Sequence, residues 1–362
     1  MKGLHIAFFG SSLVSAYWNG AATYYRGIIR SLHERGHRVT FYESDIYDRQ
    51  KHRDIPDPEW ARVVVYPAHD EAAIRRILDE AKGADIVVKA SGVGANDEFL
   101  EEAVLDLRRL RNLIVFWDVD APATLDRVRN NVNDPFLKLI PRYDMILTYG
   151  GGDPVVRAYT QFGARECIPV YNALDPTTHH PVRPDRRFKA DLAFCGNRLP
   201  DRESRAEQFF FQAAAHSPAD SFLLGGNGWG DKPMSRNVEY LGHVYTRDHN
   251  AFNSTPKCVL NISRESMARY GFSPATRIFE AAGAGACLIT DYWDGIEQFL
   301  EPEQEVLVAH DGDQVAEHLH RLSPARARQI GQAARQRVLA EHTYAHRAEK
   351  VEGIFEGTEV DR

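Results

Sequence analysis

The sequence predicts an α/β protein made of two doubly wound domains, and three observations predict it. Short apolar runs of strand length alternate with amphipathic stretches of helix length, the pattern of mostly parallel sheets covered on both faces. The alternation breaks once, at NALDPTTHHPVRPDRRFKA (172–190), which holds three prolines and little apolar content. A chain of 362 residues is also long enough for two domains of ordinary size. The expected division is a first domain over 1–172, a linker over 173–190, a second domain over 191–342 and a closing segment over 343–362.

The elements follow in order. LHIAFF (4–9) reads as a buried strand ending at Gly10, followed by the polar loop GSSLVSAYWNGA and a helix over 22–35 stopped by Gly36. RVTFYES, ARVVVYP, ADIVVKAS, NLIVFWD, YDMILTYG and ARECIPVY are further strands, with helices such as 71–82, 97–110 and 154–162 between them. After the break, DLAFCGN, SFLLGG, VEYLGHV, KCVLNIS, ACLITD and EVLVAH supply a second sheet, with a helix over 202–216 among its connections. The end, 324–356, reads as two helices broken near His342–Thr343. Open sheets of this kind bind ligands at the carboxyl ends of their strands, so two such domains are expected to face each other across a cleft lined by strand-end loops.

Global properties exclude several classes. The net charge of −7 argues against a nucleic-acid-binding surface. No apolar run approaches the roughly 20 residues that span a bilayer, so no integral membrane segment is expected. The first residues read as a strand and its turn, not a signal peptide. Cys167, Cys195, Cys258 and Cys287 are scattered through apolar runs, the usage of reduced core cysteines, which points to the cytoplasm and gives no metal site.

The stretch YGFSPATRIFEAAGAGACLITDYWD (270–294) carries the chemistry. Ser273 suits an N-cap and Pro274 the first helical position. A short helix follows, through Thr276 to Ala284, and then a buried strand. A helix start offers free N–H groups and a positive dipole end to an anion such as phosphate. Thr276 and Arg277 share one face with Glu280, about 6 Å along the axis from Thr276. That spacing fits a nucleoside diphosphate: phosphates at Ser273, Thr276 and Arg277, and the ribose hydroxyls on Glu280. The alternative is a surface helix capped by Ser273, with Glu280 paired to Arg277 or solvated.

RIFEAAGAGACLITDYWDGIEQFLEPEQEVLVAHDGDQVAEHL, followed by AEHTYAHR at 340–347, resembles the C-terminal half of the CgeB-like (spore-maturation) glycosyltransferases, a GT-B branch related to the group 1 glycosyltransferases. The resemblance spans Arg277 to Arg347. It implies the GT-B fold, donor binding by the second domain, a ribose contact at Glu280 and a last helix that crosses back to the first domain. The chain departs from the group in one place: the first position of its Glu-x7-Glu pair is Phe272.

Other strand ends supply the remaining candidates. Gly196, Arg198 and Arg202 lie in FCGNRLPDRESR (194–205); guanidinium groups suit a leaving diphosphate, and the resemblance places the diphosphate contact at Arg198 first and Arg202 second. A solvated basic turn paired to Asp201 and Glu203 is the competing reading. Gly225 and Gly226 let backbone approach a ligand, and His243 in YLGHV is a candidate wall of the nucleobase pocket; a plain turn and an ordinary loop histidine compete. Asn261 and Arg264 in NISRE rank lower. Trp18, Asn19 and Gly20 in the first loop, and Gly151 in YGGGDPV, are acceptor-side candidates, although Gly151 also fits a helix cap. That first loop lacks G-x-G-x-x-G, which removes support for a nicotinamide cofactor. Asp118 and Asp120 form an Asp-x-Asp after a strand. They fit a general base on an acceptor hydroxyl, a metal-chelating pair of the GT-A kind, or a cap on the helix at Pro122.

The expected activity is transfer of a sugar from a nucleoside diphosphate sugar, a UDP-sugar foremost, to a hydroxyl acceptor not identified by the sequence. No metal and no cofactor are expected, and kinship with group 1 suggests retention. The alternatives are a non-hydrolysing sugar-nucleotide epimerase and a non-catalytic bilobal binding protein.

Overall fold

The computed structural model describes residues 3–17 and 19–357. Contacts divide the chain into one unit of residues 1–171 and 344–362, and a second of residues 172–343.

In the first unit seven strands pair in parallel: β1 (His5–Gly10), β2 (Arg38–Asp45), β3 (Arg62–Pro67), β4 (Ile86–Ala90), β5 (Leu113–Asp118), β6 (Met145–Thr148) and β7 (Cys167–Pro169). Their order is β3-β2-β1-β4-β5-β6-β7. Central strands are apolar on both faces, as a sheet covered by helices requires: Ile114, Val115, Phe116 and Trp117 of β5 are all buried. The helix Tyr344–Phe355 belongs to this unit and packs on the helix Ala22–Glu34. A Cβ on Gly27 would stand 2.2 Å from the Tyr344 ring, so the absence of a side chain there lets the helices meet. Glu352 pairs with Arg35 and lies 3.2 Å from His37 Nε2. Arg35 holds the Glu352 carboxyl below its usual range.

In the second unit six strands pair in parallel: β8 (Leu192–Cys195), β9 (Phe222–Gly225), β10 (Val238–Gly242), β11 (Cys258–Asn261), β12 (Leu288–Asp291) and β13 (Leu307–Ala309). The order β10-β9-β8-β11-β12-β13 reverses between β8 and β11, the switch point of a doubly wound sheet. Phe194, Leu224, Trp229, Leu260 and Ile289 fill its core. The proline-rich stretch 173–190 is tied into this unit. Asp185 N–H donates to Thr255 at 3.0 Å, and Asn250 Nδ2 donates to the Thr178 carbonyl at 2.9 Å.

All thirteen expected strands are present. One helix start differs from expectation. The helix Thr276–Gly283 begins after Ala275, which occupies the N-cap with no capping side chain. Ser273 does not cap it; its hydroxyl donates to the Gly271 carbonyl at 2.9 Å, because the chain at Gly271 and Phe272 runs through positive φ and turns the serine back. Pro274 lies outside the helix for the same reason.

Candidate active site

The switch point of the second sheet gathers the donor-side candidates. At the end of β8, Gly196 N–H donates to the Gly225 carbonyl at 3.0 Å, and Trp229 Nε1 donates to the Gly196 carbonyl at 2.7 Å. Gly226 has φ +113, and a Cβ there would come within 2.3 Å of the Gly196 oxygen. A Cβ on Gly225 would stand 2.6 Å from Val244. These glycines are therefore required where the β8 and β9 turns press together, with no ligand needed to explain them. Around that joint lie five arginines with different surroundings.

Arg198 is neutralised. It pairs with Glu203 at 2.6 Å and Asp231 at 2.9 Å, and lies over the Trp229 ring. Arg205 is also spent: it pairs with Asp291 at 2.5 Å and Glu265 at 3.2 Å. Asp291 is fully buried at the end of β12, and burial raises its carboxyl despite Arg205. Removal of Arg205 would leave that carboxylate uncompensated.

Arg202 and Arg277 lack such partners. Among the described residues neither has a carboxylate within ion-pair distance. Arg202 donates weakly to the Asn197 carbonyl at 3.3 Å, and its Nε has no partner. Burial and the charges of Arg277 and Arg264, with Asp201 opposing, push its guanidinium down to about 10. Arg277 lies over the Phe194 ring, 5.7 Å from its centre. Arg264 pairs with Asp201 at 2.5 Å. Cations crowded together at the uncapped start of the Thr276–Gly283 helix, whose first N–H groups have no side-chain acceptor, offer the chemistry that an anion needs. Structural ion pairs would quench this charge; here it is left over.

One turn along the helix, Glu280 is partly buried, with Oε1 3.8 Å from Nε2 of His179. His249 stands nearby; burial lowers its imidazole pKa, with Glu280 opposing and His179 and Arg277 adding to the depression. Burial likewise raises the Cys195 thiol, which senses Arg277, Glu280 and Arg202. Arg202, Arg277 and Glu280 thus share one neighbourhood. His243 lies at the next turn, with Nδ1 3.5 Å from Asn227 Nδ2 and its ring edge-on to Tyr245 at 4.7 Å. The sequence reading missed His179 and His249. The His-His pair at 179–180 was the available signal, masked by the prolines around it.

In the first unit the candidates are mostly structural. Asp118 is fully buried. One of its oxygens accepts from Ser91 Oγ at 2.8 Å, Thr124 Oγ1 at 3.0 Å and Asp120 N–H at 3.0 Å, and the other from Tyr159 at 2.5 Å. Burial raises its pKa. With no exposed oxygen and four donors engaged, Asp118 neither reaches an acceptor hydroxyl nor offers a lone pair to a metal; it anchors the turn after β5, a correction to its expected catalytic role. Asp120 is partly exposed at the start of the helix Ala121–Asn130. Asn19 is buried: it accepts from Ser11 Oγ at 2.8 Å and donates to the carbonyls of Ser12 at 2.8 Å and Ser15 at 3.0 Å, a clamp on its own loop. Gly20 faces open space. Gly151, at φ +91, is the N-cap of the helix Gly152–Gln161. Trp18 lies outside the described residues.

The fold is GT-B: two doubly wound parallel sheets, of seven and six strands. Comparison with known proteins agrees. Residues 202–353 match a protein family described as glycosyl transferase-like. No curated protein sequence matches the chain. Among solved structures, Anabaena Alr3699/HepE in complex with UDP and glucose superposes with a TM-score of 0.68 at 13% identity, covering 98% of this chain and 100% of that one. Sucrose-phosphate synthase from Thermosynechococcus elongatus gives 0.69 at 13% identity, with 98% of each chain covered. The T4 phage BGT in complex with its UDP-glucose substrate gives 0.59 at 12% identity, with 99% and 100% covered. At these identities the structures attest the fold, and the family match is confined to residues 202–353.

Among the described residues no helix is long and apolar enough to cross a membrane, and no cluster of three or more metal-ligating side chains occurs.

Proposed function

We propose that the protein transfers a sugar from a UDP-sugar to an acceptor hydroxyl, with the donor held by the second unit. The observation that supports this most is the uncompensated pair Arg202 and Arg277 at the uncapped start of the Thr276–Gly283 helix, with Glu280 one turn further on. Diphosphate would neutralise the arginines, and Glu280 would accept from the two ribose hydroxyls. Donor complexes of similar folds, such as those with UDP and with UDP-glucose, support uridine as the base.

In the reaction the bond from the anomeric carbon to the diphosphate oxygen breaks, and a bond to the acceptor oxygen forms. The arginines and the helix dipole stabilise the charge on the departing diphosphate, so no metal is required on this reading. Retention fits, because a diphosphate oxygen can take the acceptor's proton, whereas the buried Asp118 cannot. The four free cysteines fit a reducing cytoplasm. The finer kinship is to the CgeB-like branch. The acceptor is a hydroxyl compound not otherwise specified.

Purified protein incubated with candidate UDP-sugars and acceptor mixtures tests this. UDP release stimulated by acceptor is expected, and it should survive EDTA. Isomerised donor without transfer would instead indicate an epimerase, and saturable binding without turnover a binding protein.

A further inference from the structure

The stretch 173–180 reads as a linker but packs on the donor-site helix. A Cβ on Gly283 would stand 2.3 Å from Leu174 and 3.1 Å from the His179 carbonyl, so backbone approaches backbone there. Asn250, from the helix His249–Ser254, ties this stretch down: it donates to the Thr178 carbonyl and accepts from His180 N–H at 3.3 Å. His179 is buried as a result. Its Nδ1 is 2.9 Å from Thr178 Oγ1, and its Nε2 faces Glu280 Oε1 at 3.8 Å. Thr178 Oγ1 also donates to the Asp175 carbonyl at 3.2 Å, so this hydroxyl bridges the two and anchors the imidazole ring, whose Nε2 edge is turned to the carboxylate. Glu280 has few other restraints: no hydrogen bond to it is found among the described residues, and the titratable groups that it acts on include His179, His249 and Cys195. A carboxylate that must accept from two adjacent hydroxyls needs a fixed plane.

Resting on the ribose reading of Glu280, we infer that His179 is a positioning residue: it holds Oε1 of Glu280 so that the carboxylate is oriented for the ribose 2′- and 3′-hydroxyls. His179 itself touches no substrate.

The test is a ligand-based cycle. UDP and 2′-deoxy-UDP are titrated by calorimetry into the intact wild-type protein and into the H179A, H179Q and E280A variants. The wild type should prefer UDP. E280A should lose that preference. H179A should weaken UDP about threefold, the size of one long polar contact, and leave 2′-deoxy-UDP nearly unchanged. H179Q, which keeps a donor at that reach, should recover part of the preference. Equal weakening of both nucleotides in H179A would mean that His179 only supports packing, and would overturn the inference. If E280A loses the preference and H179A keeps it, the inference alone fails. If E280A keeps the preference, the ribose reading fails and the inference falls with it.

Discussion

The strand-end loops of the two units handle charge in opposite ways. In the first unit the buried charges Asp118, Glu43 and Lys89 are matched inside the protein. Asp118 has four donors; Glu43 accepts from Ser12 at 3.1 Å and Leu13 N–H at 2.7 Å; the buried Lys89 donates to Asp97 at 2.8 Å. In the second unit the Arg205–Asp291 pair is matched, but Arg202 and Arg277 are not. Folding alone would favour neutralising them, since like charges crowded at low dielectric are costly. Saturated polar groups at a strand end build the scaffold; an unsaturated set marks where a ligand of opposite charge completes it.

The largest effect is expected from Asp118→Ala. It strands the hydroxyls of Ser91, Thr124 and Tyr159 in a dry site and should cost about 3–5 kcal/mol of stability. UDP affinity of the folded protein should be unchanged, as read by urea unfolding and calorimetry. A stable but inactive Asp118→Ala protein would return this aspartate to the chemistry.

Arg202→Gln should do the reverse. UDP binding should weaken by about 1.5–3 kcal/mol, the range of a hydrogen bond to a charged group. The melting temperature of the unliganded protein should not fall, because a cation repelled by Arg277 is removed. A drop in stability with normal UDP affinity would make Arg202 another scaffold residue.

Glu280→Ala should weaken UDP by about 1–3 kcal/mol with the fold intact. Undiminished affinity would detach Glu280 from the ribose.

The smallest effect is a pH dependence. The folded protein holds the His249 pKa below its ordinary value of 6.5. Below 6.5 the unfolded chain therefore binds the proton more readily, so stability is full above that pH and declines as pH falls toward the lowered value. His249→Gln should flatten part of this decline in urea unfolding between pH 7 and pH 5. An unchanged slope would assign the decline to other groups.

The fold was legible because it rests on local pattern: the runs IVFW and VVVY can form little but strands covered on both faces, and all thirteen strands follow from such runs. The site was legible in part. Arg198 and Arg202 look alike in sequence, and what separates them is Asp231, brought to Arg198 from 33 residues away. The role of Asp118 depends on Tyr159, 41 residues distant. Ser273 looked like a cap because serine before proline usually is one; the positive φ of the non-glycine Phe272 overrode that preference. His179 escaped notice because a run of prolines suggests a connector, and only the packing at Gly283 reveals that Leu174 and His179 are seated on the helix. Local chemistry was readable, and pairing over long sequence distance was not.

The helix Tyr344–Phe355 has a consequence for biosynthesis. It completes the first unit, yet residues 172–343 must be translated before it. At about 5–20 residues per second, the nascent first unit waits roughly ten seconds to half a minute with the face around Gly27 and Tyr24 uncovered. The domain that emerges first from the ribosome is the last to be sealed.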